Sequence, residues 1–493
     1  MAVSVERIVF LSLVLDLFAF TIPLPLFPRI IEWYTVRESS DPRGFLSKTL
    51  WAVSSVRSFF YEPRGNPKKW DVVLLGGLMG SVFSALQWIV SPHIGSLSDK
   101  YGRKRILLIT MIGNILSALV WIQSTSFASY MLSRVIGGLS EGNVQLAIAI
   151  LSDITTAANR SKALAHVGIA FAICFIIGPP IGAYFASRPL PTLTAGGLEL
   201  NVYATPALLT LVLLLLETVF LVVALPETRG RRAQGPAPEK PSTNDSANGH
   251  SNGHANGHSN GHANGNGAAK KAENGGAPPA PKYSVEQRLG LLGELRNLHF
   301  LFLGVFSGVE FTLTFLTFDL FDWDNRQNGA LIGTIGVVSA LLQGGYVRRA
   351  MSKTGEGTMA RRGVAVCALG LALLAAVPLC ARPAAVALLR AAAVCMAFTS
   401  ATVVNALTAY ASLQCDDGVD ADTGKSTEEH PQLAKGRALG RFRSSGQLGR
   451  AIGPLLACAS YWTFGPALTY AVSGAAMLVL ASTMKKIAAR RPT

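Results

Sequence analysis

The chain has 493 residues, of which 50% are hydrophobic and 15% charged, with a mean hydropathy of +0.36. Soluble domains carry about 25% charged residues, so this composition excludes an ordinary water-soluble protein. The net charge of +15 does not point to nucleic acid, because basic residues of a membrane protein collect in its cytosolic loops.

Twelve apolar runs are long enough to cross about 30 Å of hydrocarbon as helices. They cover residues 8–30, 72–94, 106–124, 128–150, 163–186, 204–225, 298–321, 329–347, 362–381, 384–412, 440–462 and 465–484. The expected fold is an all-α integral membrane protein of twelve spans. Arg7 is the one basic side chain before the first run and no small-residue cleavage site follows it, so that run reads as a retained anchor. One long loop of mixed charge, about 32–71, separates the first two spans.

The stretches DKYGRKR, NRSK, RRAMSKTGEGTMARR and the tail KKIAARR are basic and fall on one side, whereas ARPAA, TFGP and the acidic FDWDN fall on the other. This bias predicts that both termini are cytosolic, in the plasma membrane or an organelle membrane. Residues 226–296 are rich in Gly, Asn, Ala, Pro and His and read as a disordered linker between an N-terminal bundle (1–225) and a C-terminal bundle (297–493). Its histidines at 250, 254, 258 and 262 recur every four residues among Gly and Asn, which oppose a helix, so they read as part of a disordered tether, with weak zinc or nickel binding the lesser alternative. The six cysteines show no CxxC spacing and imply neither zinc nor disulfides.

The halves echo each other. GGLMGSVFSALQ in the second run is similar to NGALIGTIGVVSALLQGG in the eighth, and GPPIG in the fifth is matched by GRAIGP in the eleventh. Two related six-helix bundles with a cavity between them imply alternating access.

Several motifs carry chemistry. GSLSDKYGRKR combines Gly95 and Gly102, which permit a tight reversal, with Asp99, which can accept hydrogen bonds from a helix N-terminus, and with Lys100, Arg103 and Lys104. In the fourth run Arg134, Glu141, Gln145 and Ser152 fall at i, i+7, i+11 and i+18, one face of a continuous helix. Arg134 reads either as a cavity residue or as one that snorkels to the membrane edge. Gly178, Pro179 and Gly182 mark a kink in the fifth run, and Gly449, Gly453 and Pro454 mark one in the eleventh. Polar faces recur in the seventh run (Ser307, Glu310, Thr314, Thr317) and the eleventh (Arg443, Gln447, Arg450), and Asp16 interrupts the first. An ionised side chain near the bilayer centre costs on the order of 3 kcal/mol, so Asp16, Glu141, Glu310 and Arg450 are expected to face a cavity and a partner. Gln145, Thr314 and Gln447 are expected to line the same cavity.

The residues from Gly95 to Lys104 match the loop signature of the major facilitator superfamily, and the chain resembles that family except in its central linker. LDLFAFTIPLPLFP, SRVIGGLSEGNV, FSGVEFTLTFLT and RSSGQLGRAIGPL carry a further resemblance to its eukaryotic tetracycline-transporter-like group of organic anion transporters. The resemblance implies that Asp99 latches the two halves on the cytosolic side. It associates Arg134 with proton coupling and GPPIG with antiporters, although Cys174 and Ala183 stand where glycine is usual. The loop between runs eight and nine keeps only basic residues, so the latch is expected to be one-sided.

The expected function is proton-coupled export of small organic anions, amphiphiles or drugs by a monomer in the lipid bilayer, with no cofactor. A sugar or nutrient symporter and a non-transporting sensor or scaffold are the alternatives. No Walker A, G-x-S-x-G or H-E-x-x-H motif occurs, so an ATP-driven pump and an enzyme are disfavoured.

Overall fold

The computed structural model describes residues 4–23, 26–38, 40–60, 67–186, 201, 203–229, 283–323, 325–415 and 430–488. These residues form helices, without strands. The first expected span is two helices, α1 (Val5–Thr21) and α2 (Phe27–Arg37), because Pro23 follows Ile22 and has no N–H to continue the ladder. The long loop after it carries α3 (Phe45–Phe60), pinned by an Arg57–Asp71 ion pair of 2.6 Å to α4 (Pro67–Tyr101). Next come α5 (Arg103–Ile122), α6 (Phe127–Ser140), α7 (Asn143–Ile154), α8 (Ala157–Ala186) and α9 (Ala204–Ala224). The fourth expected span is thus broken at Glu141–Gly142, where Glu141 adopts φ −71° and ψ 95°.

The second series begins with α10 (Val285–Phe321), opened by a capping box between Ser284 and Gln287. This helix starts inside the stretch expected to be linker, which corrects the boundary at 296; residues 230–282 lie outside the described residues. There follow α11 (Asn325–Leu341), a π-helical turn over Leu342–Val347, α12 (Arg348–Thr354), α13 (Glu356–Ala376), α14 (Arg382–Leu413), α15 (Lys435–Phe464) and α16 (Pro466–Ala488).

Ten of these spans are long and apolar enough to cross a membrane on composition alone. The broken first span and α15 are the two that fall short. α15 carries Lys435, Arg437, Arg441, Arg443 and Arg450, and it packs along both α4 and α10, so much of its surface needs no lipid. One apolar core draws its buried residues from Leu291 to Ile487; two others draw theirs from Ile8 to Leu225, with Ala409 of α14 joining one of them.

Small residues set the close crossings. Gly178 packs on the side chain of Thr21, and Gly182 on the carbonyl of Ile22, so GPPIG sits against the end of α1. In the second series Gly449 and Gly453 lie on the backbone of Phe300 and Gly304, while Gly308 lies on Ala457 and Gly453. The matched kink motifs therefore fill equivalent places, α8 on α1 and α15 on α10. Pro179, Pro180 and Pro454 all lie inside continuous helices.

A Cβ at Gly453 would stand 2.7 Å from Ser307 Oγ and closer still to the Gly304 carbonyl, whereas nothing lies within 4 Å of one at Gly290. Overpacking a tight contact costs about 1–3 kcal/mol or more. Gly453→Leu should therefore lower the thermal midpoint of the purified protein, and Gly290→Ala should not. Equal midpoints for the two would contradict this packing.

Candidate functional site

The loop from Gly95 to Arg105 closes one end of the molecule. Ser91 and Gly95 of α4 lie against Gly436 and Gly440 of α15 at backbone distance, with Gly95 Cα only 3.4 Å from where a Cβ on Gly440 would stand. Asp99 caps the first turn of α15: its Oδ1 accepts from Gly436 N at 2.9 Å and its Oδ2 from Arg437 N at 2.7 Å. Charge-assisted bonds of this kind are the strong ones, and the helix dipole favours a carboxylate there. Two further bonds support the closure: Ser444 Oγ of α15 donates to Trp88 O of α4 at 2.7 Å, and Gln145 Nε2 of α7 donates to Ser91 O of α4 at 2.8 Å.

Arg103 braces Asp99 from behind. Its Nη1 lies 2.7 Å from Asp99 Oδ1, and its Nε lies 2.9 Å from Oδ2 of Asp153 at the end of α7. Lys435 of α15 completes the arrangement, 3.5 Å from Asp153 Oδ1 and bonded to Ser152 O. Gly102 stands at φ 101°, a region that favours glycine, and a Cβ there would meet the Glu227 carboxylate at 2.5 Å. Burial alone would push the Glu227 carboxyl up, but the backbone N–H groups of Arg229, Arg103, Thr228 and Lys104 outweigh it and hold it below the usual carboxylate range. Lys104 reaches Val222 O, while Lys100 is exposed, 5.1 Å over the Tyr101 ring.

The expectation of a one-sided latch is corrected. Gly355, at φ 82°, occupies the place in the second series that Gly102 holds in the first, and Glu356 after it accepts a very short hydrogen bond from Ser161 of α8. Arg160 beside it is almost fully buried and donates to Ser412 O of α14 as well as to Ser152 O and Thr155 O. Sequence reading saw only the basic residues of this loop; the signal was the repeated glycine before a charged helix start.

Deeper in the molecule, acids converge. Asp16 of α1, 4% exposed, accepts from Asn143 Nδ2 at 2.5 Å, and Asn143 Oδ1 accepts from Thr110 Oγ1 at 3.1 Å. Asn143 is the first residue of α7, so the break at Glu141–Gly142 is what turns it and Glu141 toward α1. Glu217 of α9 is 0% exposed and its Oε1 accepts from Ser12 Oγ at 2.7 Å. Asp16 and Glu141 act electrostatically on one another and on Glu217, and Arg443, supplied by α15, acts on both Asp16 and Glu141. Glu217 was missed in the sequence, where it appears as one acid in the run LLLLETVF.

Arg450 lies two turns along the same face of α15 as Arg443, and it is the cation that acts on Glu310 of α10. Arg443 faces the acids of the first series, so this face of α15 looks into the space between the two series. Glu310 and Arg450 both keep exposed side chains, and Gln447 between the arginines is half-buried. Thr314 is half-buried and donates to the carbonyl of Phe311 on its own helix, while Thr317 turns to Asn328.

Two expected cavity residues are placed elsewhere. Gln145 is 1% exposed and wedged between α4 and α15, so it braces the closed end and lines no open space. Arg134 sits near the opposite end, stacked 5.6 Å from Trp121 and 5.7 Å from Tyr130, apart from Glu141, because the break between α6 and α7 disrupts the shared face that a continuous helix would give them. Among the described residues no cluster of His, Cys, Asp and Glu has the makings of a metal site.

Comparison with known proteins accords with this architecture. The chain is 31% identical to Major facilitator superfamily domain-containing protein 10 of Bos taurus over 98% of its own length and 92% of that protein's. It is 34% identical to the Quinolone resistance protein NorA of Staphylococcus aureus over a shorter stretch, 25% of this chain and 32% of NorA. The crystal structure of the human organic anion transporter MFSD10 (TETRAN) superimposes with a TM-score of 0.74 at 28% identity, covering 97% of this chain and 98% of that one. Residues 9–419 match the Major Facilitator Superfamily as a whole, and the chain belongs to that family of membrane transporters.

Proposed function

We propose that this transporter exports small organic anions or anionic amphiphiles in exchange for protons, by alternating opening of two halves, 1–225 and 285–493, joined by a cytosolic tether. The observation that carries the reading is Arg443. It belongs to α15 yet lies near enough to Asp16 and Glu141 of the other half to act on both electrostatically. Protons that reach those carboxylates from the non-cytosolic side remove the charge that holds the cation, the halves then part at the Asp99 end, and the protons leave to the cytosol. Proton uptake is thereby tied to which end is open.

Arg450 supports an anionic substrate. Its planar guanidinium suits a carboxylate, and it stands exposed on the face that looks between the halves, near enough to Glu310 to act on it electrostatically. The human relative's description as an organic anion transporter points the same way. On this reading Asp99, Gly95, Gly102, Arg103 and Lys104 hold the cytosolic end shut, both termini are cytosolic, and the unit is a monomer in the plasma membrane or an organelle membrane. Gly436 and Gly440 belong to the same closure.

Sealed liposomes containing the purified protein and a pH-sensitive dye test the coupling. Salicylate movement should drive protons the opposite way. Protons moving with the substrate would replace exchange by symport, and transport of sugars in place of anions would overturn the substrate class. In the same liposomes Arg450→Gln should weaken salicylate transport about 10- to 100-fold, the value of one charge-assisted bidentate contact, with Arg450→Lys between. Unaffected transport in Arg450→Gln would remove that arginine from the substrate site.

Asp99→Asn keeps the shape but removes the charge that caps α15. The variant should fold normally, show faster thiol labelling of a cysteine placed at Ser91, which is fully buried where α4 meets Gly440, and transport several-fold more slowly. Labelling at the rate of the same cysteine with Asp99 intact would contradict the latch.

A further inference from the structure

Glu217 is a fully buried carboxyl to which the transport reading above gives no role. One oxygen accepts from Ser12 at 2.7 Å, and the other, Oε2, has no hydrogen-bond partner among the described residues. An ionised carboxylate in that position would leave a full charge in a low-dielectric interior with one neutral donor, which is very costly. A neutral acid tolerates it, because one of its oxygens is a hydroxyl and the other needs a single donor.

The groups around it point the same way. From α1 it faces Ser12 and Asp16, and from the junction of α6 and α7 it feels Glu141. α5 brings no titratable side chain over 106–122. On α8, Cys174 gives its thiol hydrogen to Val14 O, and His166 packs edge-on against Phe10. Among the described residues the cation that acts on Asp16 and Glu141 is Arg443.

We propose that Glu217, Asp16 and Glu141 form a three-carboxyl proton-binding site in which Glu217 holds its proton throughout the transport cycle. Three carboxyls facing one guanidinium are electrically neutral when two protons are bound. Glu217 keeps one of them, and Asp16 and Glu141 share the other. A proton that reaches the carboxylate from the non-cytosolic side frees Arg443, and the return of Arg443 expels that proton to the cytosol. Glu217 thus limits exchange to one proton while its neutrality spares Asp16 a second like charge. The role in the cycle rests on the proton-linked reading above; the protonation of Glu217 does not.

The test is the infrared carbonyl absorption of protonated carboxyl groups in the full-length protein in lipid nanodiscs, titrated from about pH 5 to about pH 9, a span that ionises any ordinary carboxyl. Wild-type protein should show a carboxylic-acid band that persists across the whole range. Glu217→Gln should lack it, with an unchanged gel-filtration profile. Ser12→Ala, which removes the donor to Oε1, should shift its frequency, and Asp16→Asn should leave it in place. A Glu217→Gln spectrum identical to wild type, or a band unmoved in Ser12→Ala, would overturn the assignment. Should Glu217→Gln fail to fold, the Ser12→Ala shift decides. A persistent Glu217 band in protein that moves no protons in liposomes would refute the proton-linked cycle alone. Proton exchange without the band would refute this proposal alone.

Discussion

A charge inside a membrane protein must be compensated, and here the compensation crosses from one half of the chain to the other. Arg443 from α15 serves Asp16 and Glu141, and Asp99 from α4 serves the first turn of α15. Neither half is electrically complete when it moves alone. A helix crowded with arginine would be unstable against lipid, yet α15 is stable between α4 and α10 because acids and backbone carbonyls await its side chains there.

Close approach makes this exchange of partners possible. Ser91 and Gly95 let α4 touch Gly436 and Gly440 of α15 backbone to backbone, which brings Asp99 within reach of the α15 amides. Without an apolar driving force between helices in lipid, small residues and hydrogen bonds carry the association. The bonds that close it, from the α15 amides to Asp99 and from Ser444 to Trp88 O, are short and directional.

The spans were legible in the sequence because length and hydropathy are local properties. All twelve expected runs correspond to helices, and the loop motif at Asp99 forms the helix cap that its residue types suggested. What escaped was set by partners distant in sequence. Arg103 and Lys435 meet at Asp153, and all three read as ordinary loop-flanking charges. The break at Glu141–Gly142 was hidden because the hydrophobic run continues through it, so the polar face drawn for a straight helix joined Arg134 to acids it does not meet. Glu217 was hidden by the apolar run around it. Glu356 was missed because the second loop was judged by its basic residues, and the turn glycine before it went unused.

The central claim is that the contact between α4 and α15 opens and closes in step with protonation of the acids behind it. The most direct measurement is the distance between spin labels placed at the exposed Lys100 and Gln432, taken in nanodiscs at neutral and acid pH. A second, longer distance that grows as the pH falls, and that dominates at both pH values in Asp99→Asn, is the expected result. One unchanging distance under all these conditions would contradict the account.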